Sequence, residues 1–256
     1  MRIAADWRAP PLRRRCTRAW AALASAVLCA TMATGQPARA DELKPFEATY
    51  AWMWHGMTVA VSTVKLEHQG DDTWVYSSKS SPRGLGKMFS QRPTQKSVMR
   101  VTDKGVQPLS YDADDGTGST KRDAHVKFDW DSGRVTGVYE DVKVDMPLHP
   151  DIQDDSSIQI ALMVELLAGR EPQKFQMVDK NTVREYGYHR EREEPIDTAV
   201  GKTNTIVYGA QKVGSPRITR FWCAPSQGFV PMRVEQKKDD EVQWTMQLQS
   251  VKRDQS

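Results

Sequence analysis

The sequence predicts a mainly β, α+β fold, with one strongly curved antiparallel sheet or half-barrel of about 11–14 strands wrapped around a single buried helix at about residues 154–168. Three observations lead to this prediction. The stretch DDSSIQIALMVELLAG is apolar on nearly every face, the segments before and after it alternate with a period of two residues, and no linker or repeat divides them. A helix that is apolar all round must be buried, and the sheet is the available partner.

The predicted helix has a signal at each end. Its only polar interior residues are Gln159 and Glu165. Asp155 or Ser156 is expected to accept the free N–H groups of the first turn, and Gly169 suits the left-handed position that follows the last turn.

The strands are predicted from alternation and from turn residues. Large apolar side chains alternate with smaller or polar ones over residues 46–54, and His55-Gly56 forms a turn. Further strands are predicted over residues 57–68, 73–80, 95–102, 106–111, 121–130, 134–139, 143–146, 174–178, 182–192, 203–213, 218–223, 230–237 and 242–251. Because no low-complexity linker interrupts this pattern, residues 41–256 are predicted to form one domain.

Residues 1–40 have the features of a secretory signal peptide. An arginine-rich segment precedes an apolar run from Ala19 to Thr34, and Ala38 and Ala40 occupy the −3 and −1 positions of a cleavage site. We therefore expect cleavage after Ala40 and a periplasmic mature protein, with an uncleaved N-terminal anchor as the alternative. No other apolar run reaches about 18 residues, so no transmembrane span is predicted in the mature chain.

The charge balance changes when this segment is removed. The whole chain has a formal charge of +3, but seven arginines and one aspartate lie within residues 1–40. The remainder has 29 basic and 32 acidic residues, which gives no electrostatic support for nucleic-acid binding. Cys16 and Cys29 also lie in this segment, so Cys223 has no partner for an internal disulfide. The mature chain is expected to be a monomer.

No sequence motif predicts catalysis or a bound cofactor. Gly201-Lys202-Thr203 lacks the first glycine of a phosphate-binding loop, and no G-x-S-x-G nucleophile motif is present. We therefore expect no enzyme activity, no cofactor and no metal. A hydrolase is the remaining alternative, and it would require histidine and carboxylate side chains to meet in one cleft.

Two groups of residues resemble metal ligands but have a simpler interpretation. The acidic loop at residues 112–120 does not match the spacing of a calcium loop and is expected to be a solvated hairpin connection. His189, Glu191 and Glu193 would share one face of a strand. Cross-strand ion pairs with nearby arginines are the preferred interpretation of these residues.

A space between the helix and the sheet is the predicted binding site. Methionine and aromatic side chains usually fill a core, but they also line cavities that accept variable apolar ligands. If the helix leaves part of the concave face free, a lipid or another apolar molecule could be held there. The candidate ligand-binding residues are Trp52, Trp54, Ile160, Met163, Leu167, Trp222 and Met232.

One segment of the mature chain carries charges of a single sign. Between Ser80 and Val101 there are five basic residues and no acidic one. Arg83, Lys87 and Arg92 are the candidate contacts for an anion, a lipid headgroup or an envelope protein partner. An alternative function is therefore a non-catalytic envelope scaffold that uses this basic loop or a sheet edge.

Several longer motifs occur in a fixed order. They are PFEATYAWMWHGM, SSPRGLGKMF, PLSYDADDG, RDAHVKFDWDSGRVTG, DIQDDSSIQIALM and IDTAVGKTNTIVY followed by FWCAPSQGFVPMRVEQ. Together they resemble the DUF3108 family of exported bacterial proteins over nearly all of residues 45–251. The resemblance implies a periplasmic location and a β-rich fold but transfers no catalytic residues, because the family's function is unknown. By fold analogy alone, a curved half-barrel with a helix across its concave face is similar to the LolA/LolB-like lipoprotein carriers.

Overall fold

The computed structural model describes residues 42–84, 86 and 91–253. The predicted cleavage site at Ala38 and Ala40 and the basic residue Lys87 lie outside the described residues. In the part of the chain that is described, no helix is long and apolar enough to cross a membrane.

Strands make up most of the described chain. Side chains alternate between buried and exposed positions along many of them, which is the pattern expected when one face of a sheet covers a core. The single α-helix among the described residues is α1, Ser157–Leu167. The strands are β1 (Phe46–Trp54), β2 (Met57–His68), β3 (Thr73–Pro82), β4 (Thr94–Thr102), β5 (Gly105–Asp114), β6 (Ala124–Asp129), β7 (Arg134–Tyr139), β8 (Val142–Pro147), β9 (Ile152–Gln153), β10 (Lys174–Asp179), β11 (Thr182–Thr198), β12 (Gly201–Lys212), β13 (Arg217–Ala224), β14 (Val230–Lys238) and β15 (Glu241–Arg253).

All the described strands belong to one curved 15-stranded sheet, in the order β8-β7-β6-β5-β4-β3-β2-β1-β15-β14-β13-β12-β11-β10-β9. The chain runs from β1 outward to one edge, passes through β9 and α1, and returns to β15, which pairs antiparallel with β1. The pairs are antiparallel except for β9 with β10. A single large sheet around one helix is confirmed. The predicted strand count is too low, because the two-residue β9 is too short to produce an alternating pattern.

Side chains, rather than a backbone ladder, connect the two ends of the sheet. The Asp145 N–H in β8 donates a hydrogen bond to Asn181 Oδ1 at 2.8 Å, and Gln153 Nε2 in β9 donates one to the Val106 carbonyl at 2.9 Å. We call this junction the seam. Its apolar cluster consists of Tyr111, Ala124, Val126, Phe128, Val135, Val144, Met146, Ile152 and Val178.

Helix α1 is buried as predicted, but a different residue caps it. Asp154 Oδ1 accepts the N–H groups of Ser156 at 2.8 Å and Ser157 at 2.7 Å, while Ser157 Oγ accepts the Asp154 N–H at 2.9 Å. This reciprocal pair replaces the predicted caps, Asp155 and Ser156. Ser156 does occupy the position before the first helical residue, but its side chain makes no capping hydrogen bond. Gly169 has a φ of 70°, which confirms the predicted end.

Successive hairpin connections alternate between the two ends of the sheet. We call one end the upper end; it carries the β1–β2, β3–β4, β5–β6, β7–β8, β10–β11, β12–β13 and β14–β15 connections. In α1, Ile160, Leu162 and Met163 are at most 1% exposed and belong to the same core cluster as Phe46 and Leu66, which lie towards the lower end. The helix therefore fills the lower part of the concave face.

Candidate ligand site

Cross-strand register identifies the side chains that face the inside of the sheet. Directly paired residues share a face, and successive residues on a strand alternate. Tyr50 pairs with Leu248, and both are core residues. Two positions closer to the upper end, Trp52 pairs with Met246 on the same face. Both of these side chains are only half-buried, so solvent reaches the inner face at this height.

Two tryptophans form one wall of this open region. The ring centroids of Trp52 and Trp244 are 5.1 Å apart, and their planes are tilted by 41°. Trp52 Nε1 donates a hydrogen bond to Ser62 Oγ at 2.6 Å, and Ser62 Oγ lies 2.5 Å from Ser80 Oγ. This network satisfies the indole N–H and fixes the ring while leaving its apolar surface available.

Shorter or polar side chains of β3, β4 and β5 continue the inner face beyond the tryptophans. Ser78 pairs with the core residue Val64, Gln95 pairs with Ser78, and Ala113 pairs with Gln95, so all three face inward. All three are half-buried. We call the open region the upper cup and define it by Trp52, Ala60, Ser62, Ser78, Ser80, Gln95, Trp244 and Met246. Its lining combines aromatic and thioether groups with hydroxyl and amide groups, as in many sites for small molecules.

The described ends of the basic segment, at Arg83 and Arg92, lie beside the mouth of the upper cup. The Arg83 N–H donates a hydrogen bond to the Val59 carbonyl at 2.8 Å, and the Ser80 N–H donates one to the Pro93 carbonyl at 2.9 Å. These bonds anchor both ends of the β3–β4 connection at the upper end. Arg83 and Arg92 are exposed there, so two of the predicted anion contacts are accessible to a ligand at the mouth.

The structure does not bring the seven predicted ligand-binding residues together. Trp52 lines the upper cup, whereas Trp54 is 53% exposed at the β1–β2 turn, outside it. Four others are at most 7% exposed in the closed core: Ile160, Met163, Leu167 and Met232. The helix thus contributes to the floor of the concave face rather than to an open surface.

Trp222 lies on the outer face of the sheet. Its neighbour Phe221 packs against the core cluster, so Trp222 points the other way. The guanidinium carbons of Arg192 and Arg233 lie 5.8 and 5.0 Å from the Trp222 ring centroid, and Trp222 Nε1 donates a hydrogen bond to Glu194. These cation–π contacts cover the ring from outside. Trp244, rather than Trp222, meets Trp52.

The residues around His189 form ion pairs. Glu191 lies 2.8 Å from Arg220 Nε and 3.5 Å from His189 Nε2. Partial burial alone would raise the pKa of Glu191, but the hydrogen bond and charge of Arg220 outweigh it and lower that pKa. A bulge after Arg190 changes the alternation, and Glu193 pairs with Arg190 instead of joining Glu191. The preferred ion-pair interpretation of Glu191 agrees with this geometry.

Sequence reasoning did not identify a buried polar cluster at the start of α1. Ser97 Oγ donates a hydrogen bond to Asp154 Oδ2 at 2.7 Å, and the hydroxyls of Tyr111 and Tyr139 both donate to Asp155 Oδ2, the former at 3.2 Å. Burial raises the pKa of Asp154 to about 6 and also raises the pKa of Asp155, although the hydrogen bonds oppose it. The alternation of β5 already places Tyr111 inward, but no sequence signal pairs it with Asp155.

A further groove of about 590 Å³ lies on the outer face across β2 to β6. Its lining includes Lys79, Asp112 and His125, and Ser78, Gln95 and Ala113 also contribute to it. His125 Nδ1 is 2.8 Å from Asp112 Oδ1, but no hydroxyl or thiol of a described residue is hydrogen-bonded to the other ring nitrogen. Burial raises the pKa of the Cys223 thiol to about 12. The His125–Asp112 pair therefore has no activated nucleophile beside it among the described residues.

The acidic loop holds its carboxylates close together. Oxygens of Asp114, Asp115 and Asp123 lie within 4.8 Å of one another. The Gly116 N–H donates to Asp114 Oδ1 at 2.6 Å, and the Thr117 N–H donates to Asp115 Oδ1 at 2.9 Å. Such local hydrogen bonds are typical of solvated turns rich in aspartate.

Three solved structures align with most of the chain, and the first of them shares its fold. A β-barrel-like protein of the domain of unknown function DUF1849 from Brucella abortus aligns with a TM-score of 0.57 and 9% identity, covering 84% of this chain and 100% of that chain. An exported-type protein with a YmcC-like fold from Bacteroides fragilis gives a TM-score of 0.38 and 11% identity, with coverages of 82% and 97%. A lipoprotein-type chain from Parabacteroides distasonis gives 0.34 and 7%, with coverages of 82% and 96%. At 9% identity, the first likeness shows the fold alone.

The family comparison covers most of the chain. No curated protein matches the sequence significantly. The family described as "Protein of unknown function (DUF3108)" matches residues 45–246, a span that includes α1 and every residue of the upper cup. The chain therefore belongs to the DUF3108 family.

Proposed function

We propose that the protein is an exported envelope protein that holds an amphipathic ligand with an acyl chain in the upper cup. The observation that carries this proposal is the half-burial of Trp52, Trp244 and Met246, which face the inside of the sheet and yet remain accessible to solvent. Apolar groups inside a concave surface gain most when an apolar ligand replaces the water around them.

The magnitude of this effect is sufficient for binding. Each buried methylene contributes about 0.8 kcal/mol, so about ten of them would offset a substantial part of the entropy lost on association. The hydroxyls of Ser78 and Ser80 and the amide of Gln95 can hydrogen-bond to a polar group attached to the chain. Arg83 and Arg92 at the mouth suit an anionic headgroup.

The proposed location rests on the first forty residues. Their arginine-rich start, apolar run and small residues at Ala38 and Ala40 have the order of a secretory signal. The scaffold alternative has less support at the edges of the sheet. The Asp145 N–H of β8 is already bonded to Asn181, and β9 is two residues long.

Two neighbouring residues on β3 provide a test. By alternation the Ser78 side chain faces the upper cup and the Lys79 side chain faces the opposite way, although both residues contribute to the lining of the outer groove. Ser78→Phe should fill the cup, whereas Lys79→Phe adds the same ring to the opposite face. Each variant is incubated with oleate or with lysophosphatidylglycerol and examined by native mass spectrometry. We expect a one-to-one adduct with the wild type and with Lys79→Phe, and none with Ser78→Phe.

The competing outcomes are distinct. A wild type that takes up neither probe contradicts the proposal. Loss of the adduct in Lys79→Phe with retention in Ser78→Phe would assign the ligand to the outer groove instead. Circular dichroism and thermal unfolding of both variants show whether the sheet has folded. Ala60→Phe, on the neighbouring strand, provides a second way to fill the cup if Ser78→Phe is unstable.

A further inference from the structure

The large apolar side chains exposed to solvent are concentrated at one end of the sheet. Trp54 and Met57 are 53% and 46% exposed and pair directly across the β1–β2 turn. The others in the described chain are Val138, Val142, Val213, Val242 and Val200. All except Val200 lie at or beside upper-end connections, whereas Val200 lies in the β11–β12 turn at the lower end.

Trp54 and Met57 flank a tight β1–β2 turn. His55 and Gly56 have φ values of 45° and 76°, which is the conformation of a tight two-residue hairpin turn. Such a turn requires no bulky apolar neighbours. The β14–β15 turn at the same end has a similar backbone, with Asp239 and Asp240 at φ 49° and 65°, and polar residues flank it. The fold therefore does not explain why Trp54 and Met57 are exposed.

We infer that the upper end docks on the surface of a lipid bilayer, with Trp54 and Met57 inserted at the level of the headgroups. Tryptophan favours this interface because its ring is apolar and its N–H is polar. The exposed side chains sit on separate turns rather than in one packed patch, which suits a soft lipid surface better than a protein partner. Exposed Arg83 and Arg92 lie at this end, and so do the exposed Asp239 and Asp240. The contact is therefore expected to depend on Trp54 and Met57 rather than on net charge.

This inference deepens the proposed function. The upper cup opens at the same end as these side chains, so docking would place the mouth of the cup against the lipid from which an acyl chain could enter. The bilayer contact and the cup use different residues. Bilayer docking can therefore be absent while the cup still binds a ligand, and the reverse.

The experiment compares apolar residues at the two ends of the sheet. The chain from residue 41 onward is mixed with vesicles of phosphatidylethanolamine and phosphatidylglycerol and sedimented. Trp54→Ser/Met57→Ser should lower the bound fraction by about tenfold or more, because both apolar contacts are lost. Val200→Ser should bind as the wild type does. Brominated lipids should quench tryptophan fluorescence in the wild type and less in Trp54→Phe.

The outcomes separate the alternatives. A wild type that stays in the supernatant, or a double variant that binds as well as Val200→Ser, overturns the inference. If the wild type instead forms dimers that the double substitution abolishes, Trp54 and Met57 form a contact between copies of this chain, and the inference is wrong. Ser78→Phe should still bind vesicles while losing the oleate adduct, so failure of the cup is distinguishable from failure of docking.

Discussion

The lower and upper parts of the concave face are built on the same strands but differ in their contact with solvent. In the lower part, Leu162 and Ile160 of α1 are at most 1% exposed against the sheet. In the upper part, Trp52 and Trp244 face the same interior and remain half-buried. One short helix cannot cover the whole concave surface of fifteen strands. The helix therefore closes the lower part, whereas the upper part of the same face remains open to solvent.

The first prediction concerns the stability of the closed lower part, where the largest loss is expected. Leu162→Ala removes a buried side chain and should lower the free energy of unfolding by about 2–5 kcal/mol. Ser78→Ala in the upper cup removes little buried surface and should change it by less than about 0.5 kcal/mol. Urea denaturation followed by far-ultraviolet circular dichroism measures both. Similar losses for the two variants would mean that the upper cup is packed like the core.

A second prediction concerns the pH dependence of the closed part. Burial raises the pKa of Asp154 from its ordinary value of 3.8 to about 6, so the folded state binds the proton more tightly than the unfolded state does. The stabilisation from protonation is fully present below about pH 4 and is lost as the pH rises through about 6. Relative to Asp154→Asn, the wild type should therefore gain about 2 kcal/mol of unfolding free energy between pH 7 and pH 4.

Asp154→Asn is a suitable reference because it keeps the shape of the cap but has no titratable group. Carboxylates distant from Asp154 titrate alike in both proteins and cancel in the difference. Asp155 does not cancel fully, because its charge contributes to the raised pKa of Asp154 and the two titrations are coupled. Unfolding curves in urea at several pH values give this difference directly. Parallel pH profiles for the two proteins would show that the Asp154 carboxyl keeps its ordinary pKa.

A third prediction concerns the hydrogen bonds of the seam, where the expected loss of stability is smaller. Tyr139→Phe removes one of the two tyrosine hydroxyls that donate to Asp155 and should cost about 1–2 kcal/mol. Hydrogen exchange should accelerate mainly in β6, β7 and β8, because the seam is joined by side chains rather than by a ladder. Tyr111→Phe is the matched variant, because it removes the other tyrosine hydroxyl that donates to Asp155. Equal acceleration throughout the sheet would show that the seam does not open separately.

The sequence predicted some parts of the site and missed others for identifiable reasons. Trp52 was expected to face the inside because of period-two alternation, and it does so. Trp222 has the same kind of pattern but lies outside, on the face opposite Phe221, because alternation alone does not show which side of a strand meets the core. Glu193 was misplaced because a bulge after Arg190 shifts the face, and bulges leave little trace in a single sequence.

The sequence alone determined the local features of this protein: a helix apolar on nearly every face that must be buried, strands with a period of two, and turns such as His55-Gly56. Tertiary structure decided which strands meet across the seam, that Trp244 packs beside Trp52, and that Asp154 rather than Asp155 caps the helix. The two kinds of feature differ because the interactions behind them act over different distances along the chain. Backbone propensity and amphipathicity act over a few residues, whereas the rolling of the sheet brings together residues such as Trp52 and Trp244 that are distant in the chain.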